Sequence, residues 1–233
     1  DPNGQLYKIN SFEFLRYEDI IRLSTDPAYD QTAFEARLEI KGDSDHSKLI
    51  EMLEVLNDET SSMEDELFAT YFDKENIAYW MAFQLLTGNT DTQNRNVYLY
   101  SPQNSSKWYL WDWDNDGMLR RREREIINFS DSESWERGVS NYWGNVLFRR
   151  CLQTQSYRDM LDAAMKELYA YMNEERIQSM LEHYRSVTET YVWQMPDRMY
   201  VPITHAEYED VLKSIWPEIE ENYNYYWESY RRP

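Results

Sequence analysis

Asp91-Thr92-Gln93-Asn94-Arg95-Asn96 sets a carboxylate and a carboxamide five positions apart. An acid so placed can orient an acceptor hydroxyl or take its proton, while an amide oxygen helps to hold a divalent cation against the charge of a transferring phosphoryl group. Asp and Asn also serve turns through side-chain bonds to the backbone, so the hexapeptide alone carries both readings. Two more acids arrive in Trp111-Asp112-Trp113-Asp114, with Asp114 lying 23 positions after Asp91. That separation accommodates two short strands and their turn. In a chain this acidic, such a pair also reads as a solvated edge.

The same acids belong to a competing pattern. Residues 112–123 satisfy D-x-[DN]-x-[DN]-G-x₅-E, the EF-hand calcium loop, with Asp112, Asp114, Asp116 and Glu123 supplying side-chain oxygens and Leu119 at the apolar eighth position. Against it stand a strand-like approach through Lys107 to Trp111 and three consecutive cations, Arg120, Arg121 and Arg122. Those arginines read as solvated charges at a helix start or as a patch for phosphate or an acidic substrate.

The flanking pattern predicts the elements that position these residues. Asp73 reads as the cap of a helix carrying Ile77, Trp80, Met81 and Leu85, stopped by Gly88, which delivers the chain to Asn89-Thr90-Asp91. Val97 to Tyr100 and Trp108 to Trp111 are β-favouring runs around the turn-rich 101–106 and should pair as a hairpin. Ser47 to Leu56 reads as helix, and Leu6-Tyr7-Lys8 as the tail of a strand begun earlier. Helical patterns occupy roughly 142–152, 156–172, 174–193 and 205–229, with Pro217 expected to kink or break the last. Trp135 to Trp143 is the best segment for a long functional loop. The expected fold is mainly α with a small β-hairpin, an α+β domain.

At 233 residues and 42% hydrophobic, the sequence supports one large domain with a real core. Aromatics at 16%, including 20 Tyr and 9 Trp, exclude a disordered chain. A net charge of −19 repels phosphate backbones and makes nucleic-acid binding the wrong class; basic proteins and divalent cations suit it. No apolar run is long enough for a membrane span, and no signal peptide is visible. Cys151 stands alone and reads as a buried structural thiol. His46, His183 and His205, without ligand spacing, read as surface residues. The aromatics of 216–230 read as helix packing, with a glycan- or protein-binding face as the alternative.

Taken together, Tyr71-Phe72-Asp73, Leu86-Thr87-Gly88-Asn89, Asp91, Asn96 before Val97-Tyr98-Leu99-Tyr100, Lys107-Trp108 and Trp111-Asp112-Trp113-Asp114 resemble the CotH kinase family. The opening Gly4-Gln5-Leu6-Tyr7-Lys8 is similar to a segment of that family too. The resemblance implies a protein-kinase-like fold, here its C-terminal lobe, with Mg²⁺- or Mn²⁺- and ATP-dependent phosphorylation of Ser or Thr in a secreted, spore-coat or cell-surface protein. It makes Asp91 the catalytic aspartate, Asn96 and Asp114 metal ligands, Asp112 a less certain one, and Lys8 a nucleotide contact to be weighed against a solvated strand-edge lysine. Asn115-Asp116 follow Asp114 where regulated kinases carry Phe-Gly. No Gly-rich phosphate loop is present among the 6 Gly. The family's Lys-bearing β-rich nucleotide lobe has no counterpart here, so 1–233 is expected to be one CotH-like domain without that lobe, inactive alone. The alternative is a non-catalytic surface or adhesion module with a calcium loop.

Overall fold

The computed structural model describes residues 1–127 and 138–230. Its sheet has four antiparallel strands in the order β2-β1-β3-β4, with β1 Gln5–Ile9, β2 Leu38–Ile40, β3 Val97–Ser101 and β4 Tyr109–Asp112. The expected hairpin is there, registering Leu99 with Leu110 and Val97 with Asp112. Two features depart from expectation. The Leu6-Tyr7-Lys8 strand is an interior strand, pairing Lys8 with both Glu39 and Tyr98, so Lys8 does not lie on a sheet edge. The sheet is also larger than a hairpin, because the three-residue β2 caps β1.

Alternation decides which face is buried. Tyr7, Ile9, Leu38, Val97, Leu99 and Leu110 point into the core, while Lys8, Tyr98, Tyr100, Tyr109 and Trp111 take the other face. Against the inner face lies α3, Lys74–Leu86, capped by the Asp73 carboxylate accepting from the Asn76 N–H at 2.8 Å. Ile77, Ala78, Trp80, Met81, Ala82, Leu85 and Leu86 are all buried, so the helix is surrounded by sheet and helices.

Two short helices, α1 Gln31–Glu35 and α2 Ser47–Asn57, and a π-helical segment Met63–Tyr71 close one side. After β4 come α4 Arg121–Ile126, a 3₁₀ segment Val139–Gly144, α5 Val146–Gln153, α6 Gln155–Tyr171, α7 Glu174–Val192 and α8 His205–Tyr225. The helix expected over 142–152 begins late because Asn145 caps α5, accepting from the Leu147 N–H at 3.0 Å. Of the proposed loop Trp135 to Trp143, residues 135–137 lie outside the described residues, and 139–143 are helical.

Pro217 neither ends nor interrupts α8. Proline removes one backbone donor, and the next turn is anchored by Glu218, Ile219 and Asn222, all buried against the body. Most aromatics of the last helix do pack: Tyr169 and Tyr223 stack at 3.9 Å, and the buried Tyr226 donates its hydroxyl to Asp162 at 2.8 Å. Cys151 is fully buried, which raises its thiol pKa.

His46 corrects the surface reading. It is wholly buried, stacked on Phe34 at 4.1 Å, with Nδ1 2.8 Å from the Tyr7 hydroxyl and Nε2 3.2 Å from that of Tyr29. Burial holds its pKa down to about 4. His205 is exposed as expected, but its Nε2 lies 2.9 Å from Glu189 Oε1.

Candidate functional site

Gly88, with φ 62°, ends α3 and turns the chain toward Asp91; a side chain there would run into Asn222 of α8 at 2.9 Å. From this point a relay of side chains ties two loops together. The Gln84 amide donates to Asp112 Oδ1 at 2.6 Å and accepts from Asn89 Nδ2 at 2.9 Å. Asn89 Nδ2 also reaches Asn115 Oδ1 at 3.2 Å, and Asn89 Oδ1 accepts the Asp91 N–H at 3.2 Å. Gln84 and Asn89 are both buried, so each amide dipole is committed to these partners. Gly117 completes the contact: a Cβ on it would lie 3.1 Å from Asn89 Oδ1 and 3.5 Å from Asp91 Cβ. The 3₁₀ turn Asn115–Gly117 thus rests against Asp91.

The Asp91 loop is clamped from its other side as well. Asn94 Nδ2 donates to Glu13 Oε1 at 2.9 Å, and the Asn94 carbonyl accepts the Phe12 N–H at 2.9 Å. Asn145 Nδ2 donates to the Gln93 carbonyl at 2.9 Å, and the Ile9 carbonyl accepts the Asn96 N–H at 3.1 Å. An open cleft of about 360 Å³ beside the loop is lined by Glu13, Gln93, Asn94, Asn141 and Asn145 among others. Glu13 is held below the ordinary carboxylate range: its partial burial acts the other way, and bonds from Tyr17 and Asn94 with the charge of Arg37 overcome it.

Within this frame Asp91 accepts from Asn96 Nδ2 at 2.7 Å through Oδ2 and meets the Arg95 guanidinium through Oδ1. Asn96 is half-buried, and its Oδ1 makes no hydrogen bond among the described residues. Asn96 and Asp114 both occupy left-handed backbone, at φ 56° and 57°. Asp and Asn tolerate that region at a cost, and such strain concentrates where geometry is fixed for function. The exposed Asp114 carboxylate makes no hydrogen bond or ion pair among the described residues. Desolvation raises the pKa of Asp112, with the Gln84 bond opposing it.

Register places the remaining candidates. Asp112 pairs with Val97, so Asn96 and Asp114 leave the same end of the hairpin. Lys8 reaches that end too, its Nζ 5.5 Å from the Trp113 ring centre. The calcium-loop residues are arranged differently from an EF-hand: β4, a strand, leads into them, and Arg120 forks onto both oxygens of Glu123 at 3.1 Å. Arg121 pairs with Glu221, and Arg122 with Glu125 at 3.1 Å. A second grouping, Glu189, His205 and Glu209, has ligand atoms within 4.8 Å of one another, but Arg185 already bridges the two glutamates.

Gln84, Glu13 and Asn145 were not singled out from sequence, and Asn89 appeared there only as part of a motif, without a role. Gln84 did leave a signal, being an amide on the otherwise apolar face of α3. Glu13 left none, since the bond that ties it to the Asp91 loop comes from Asn94, 81 positions away.

The family described as CotH kinase protein matches residues 1–226, and the chain belongs to the CotH kinase family. No curated protein matches it. No helix among the described residues is long and apolar enough to cross a membrane.

Proposed function

We propose that this chain carries the acceptor-orienting and metal-holding part of a phosphotransfer site, moving the γ-phosphate of ATP to Ser or Thr of a secreted, spore-coat or cell-surface protein. The observation that carries the reading is the Gln84–Asn89 relay, which ties the loop bearing Asp91 and Asn96 to the turn that follows Asp114.

Asn96 Oδ1 and the Asp114 carboxylate are hard oxygen donors of the type Mg²⁺ or Mn²⁺ takes, and both lack other partners among the described residues. A cation held there would neutralise charge on the nucleotide phosphates. Asp91 has a separate role. Its Oδ2 is fixed by Asn96, and Arg95, 59% exposed, can swing off Oδ1 when an acceptor hydroxyl arrives. The hydroxyl oxygen forms the new P–O bond, the bond from the γ-phosphorus to the β–γ bridging oxygen breaks, ADP leaves, and the hydroxyl proton passes to Asp91. Lys8, its Nζ 5.5 Å from the Trp113 ring centre, extends the site toward the nucleotide.

Calcium at 112–123 is the competing reading, and the strand leading into the loop together with the Arg120–Glu123 fork weighs against it. Calorimetric titration of Asp114→Ala and Glu123→Gln separates the two. Asp114→Ala should weaken Mg²⁺ or Mn²⁺ binding at least about tenfold and Glu123→Gln should leave it unchanged. Calcium binding that Glu123→Gln abolishes, with no Mg²⁺ site found, would overturn the phosphotransfer reading. So would absence of both ATP binding and transfer when the chain is supplied together with a Lys-bearing nucleotide lobe.

A further inference from the structure

The cleft of about 360 Å³ lies between the Asp91 loop and the 3₁₀ segment Val139–Gly144. Its size is at the small end of ligand clefts, about 300–1,000 Å³, yet neither an apolar wall nor an aromatic ring lines it, so it does not suit a cofactor ring or a lipid. It offers little charge either. Glu13, the one ionisable group in the lining, already accepts from Tyr17 at 2.6 Å and from Asn94 at 2.9 Å and has Arg37 at 3.7 Å. What remains for a guest is neutral hydrogen bonding.

Part of that capacity is spent within the protein. Asn94 holds Glu13, while Asn145 holds the Gln93 carbonyl and caps α5. The side chains of Thr90, Gln93 and Asn141 make no hydrogen bond among the described residues. Gln93 comes from the Asp91 loop and Asn141 from the 3₁₀ segment, so each wall brings one uncommitted carboxamide. A carboxamide carries the same donor and acceptor types as a peptide group, which makes main chain its natural complement. At Gly144 an added Cβ would meet nothing within 4 Å, which leaves room there for a guest.

Position gives the guest a role. The turn Asn115–Gly117, which follows Asp114, rests against Asp91 on one flank of the loop, and the cleft adjoins the other flank at Gln93 and Asn94. Attacking and leaving oxygens lie roughly in line across a transferring phosphoryl group, so the acceptor enters from the flank away from the metal-held nucleotide. We propose that this cleft seats an extended stretch of acceptor main chain beside its Ser or Thr, with Gln93 and Asn141 as positioning residues that pair with its peptide groups. The role in transfer rests on the phosphotransfer reading, whereas the binding does not. Recognition of this kind selects a segment whose backbone groups are free, not one already in a helix, and is indifferent to most of its side chains.

The probe is the blocked, uncharged peptide acetyl-Ala-Gly-Ser-Gly-Ala-amide, titrated without ATP into the 233-residue chain to about 10 mM, since a few hydrogen bonds give a contact of only about 1 mM. Saturable NMR shifts of the Gln93 and Asn141 side-chain NH₂ signals are expected. Methylating the peptide nitrogens on both sides of the serine should weaken binding at least about fivefold, because donors are lost while side chains stay. Gly144→Leu, which fills open space, should weaken it at least about tenfold with an unchanged melting temperature. Where the protein transfers γ-phosphate, Asn141→Ala should raise the acceptor KM about three- to tenfold and leave kcat within about twofold. No saturable binding, or binding indifferent to N-methylation or to Gly144→Leu, overturns the inference and leaves the phosphotransfer reading standing. A fall in kcat at constant KM overturns the positioning role. A chain that binds the peptide as expected yet transfers nothing supports the cleft and strikes the phosphotransfer reading instead.

Discussion

Helices α3 and α7 are built on opposite plans. Across its 13 residues α3 buries eight, on every side, and the one polar member of that set, Gln84, is spent on the relay that holds the candidate site. Across its 19 residues α7 buries one. The difference teaches that the candidate site is braced from within the core, whereas α7 lies at the surface, held by Ile177 and by the ion pairs of Arg185 and Glu189. Damage to the first should reach the site; damage to the second should not.

The sharpest way to break that contrast is at the loop α3 delivers. Under conditions in which the protein transfers γ-phosphate, Asp91→Asn should lower that transfer by about 10² to 10⁴, the range for loss of a general base. Nucleotide binding and melting temperature should stay as they were, because the amide still fits the Asn96 bond. Equal losses of binding and turnover would place Asp91 among the structural residues.

Next comes packing. Met81→Ala in α3, fully buried beneath the Tyr157 hydroxyl, should cost about 2–5 kcal/mol in urea unfolding through the cavity it leaves. A loss below about 1 kcal/mol would mean that the core around α3 collapses freely and cannot be the rigid support inferred for the site.

His46 supplies a pH test of the buried half. Its folded pKa, about 4, lies below the ordinary 6.5, so the unfolded chain takes up a proton first as pH falls. The stability attached to its neutral form is complete above about pH 6.5 and is lost on acidification toward pH 4, by about 3 kcal/mol in all. His46→Gln should flatten this stretch of the stability–pH curve. An unchanged slope in the variant would show that His46 titrates as an exposed ring.

The smallest effect belongs to α7. Met180→Ala, at a position already 48% exposed, should change unfolding by no more than about 0.5 kcal/mol. A loss near that of Met81→Ala would erase the contrast between the two helices.

What could be read from the sequence was local. Asp73 as a cap, Gly88 as a stop and the hairpin around 101–106 announce themselves within a few residues, and with them Asp91, Asn96 and the acids after Trp111. What escaped was settled by distant partners. His46 sits among Asp43, Ser44, Asp45 and Ser47, a neighbourhood that looks solvated, yet its ring is claimed by Tyr7, 39 positions away. β2 is three residues long, too short for periodicity to show, and exists because β1 offers it an edge. Pro217 looked like a breaker because the rule that condemns it counts one lost hydrogen bond and ignores the buried turn that follows.

The wedge of α8 into the end of α3 bears on how the molecule comes into being. Asn222 donates to the Leu86 carbonyl across 136 positions and fills the space beside Gly88, from which the Asp91 loop departs. At about 5–20 residues per second, a ribosome finishes that loop, at Asn96, roughly 6 to 25 seconds before the residue that braces it. During synthesis the acids of the site are therefore present but not yet held, and a pause in translating the later helices would prolong that interval.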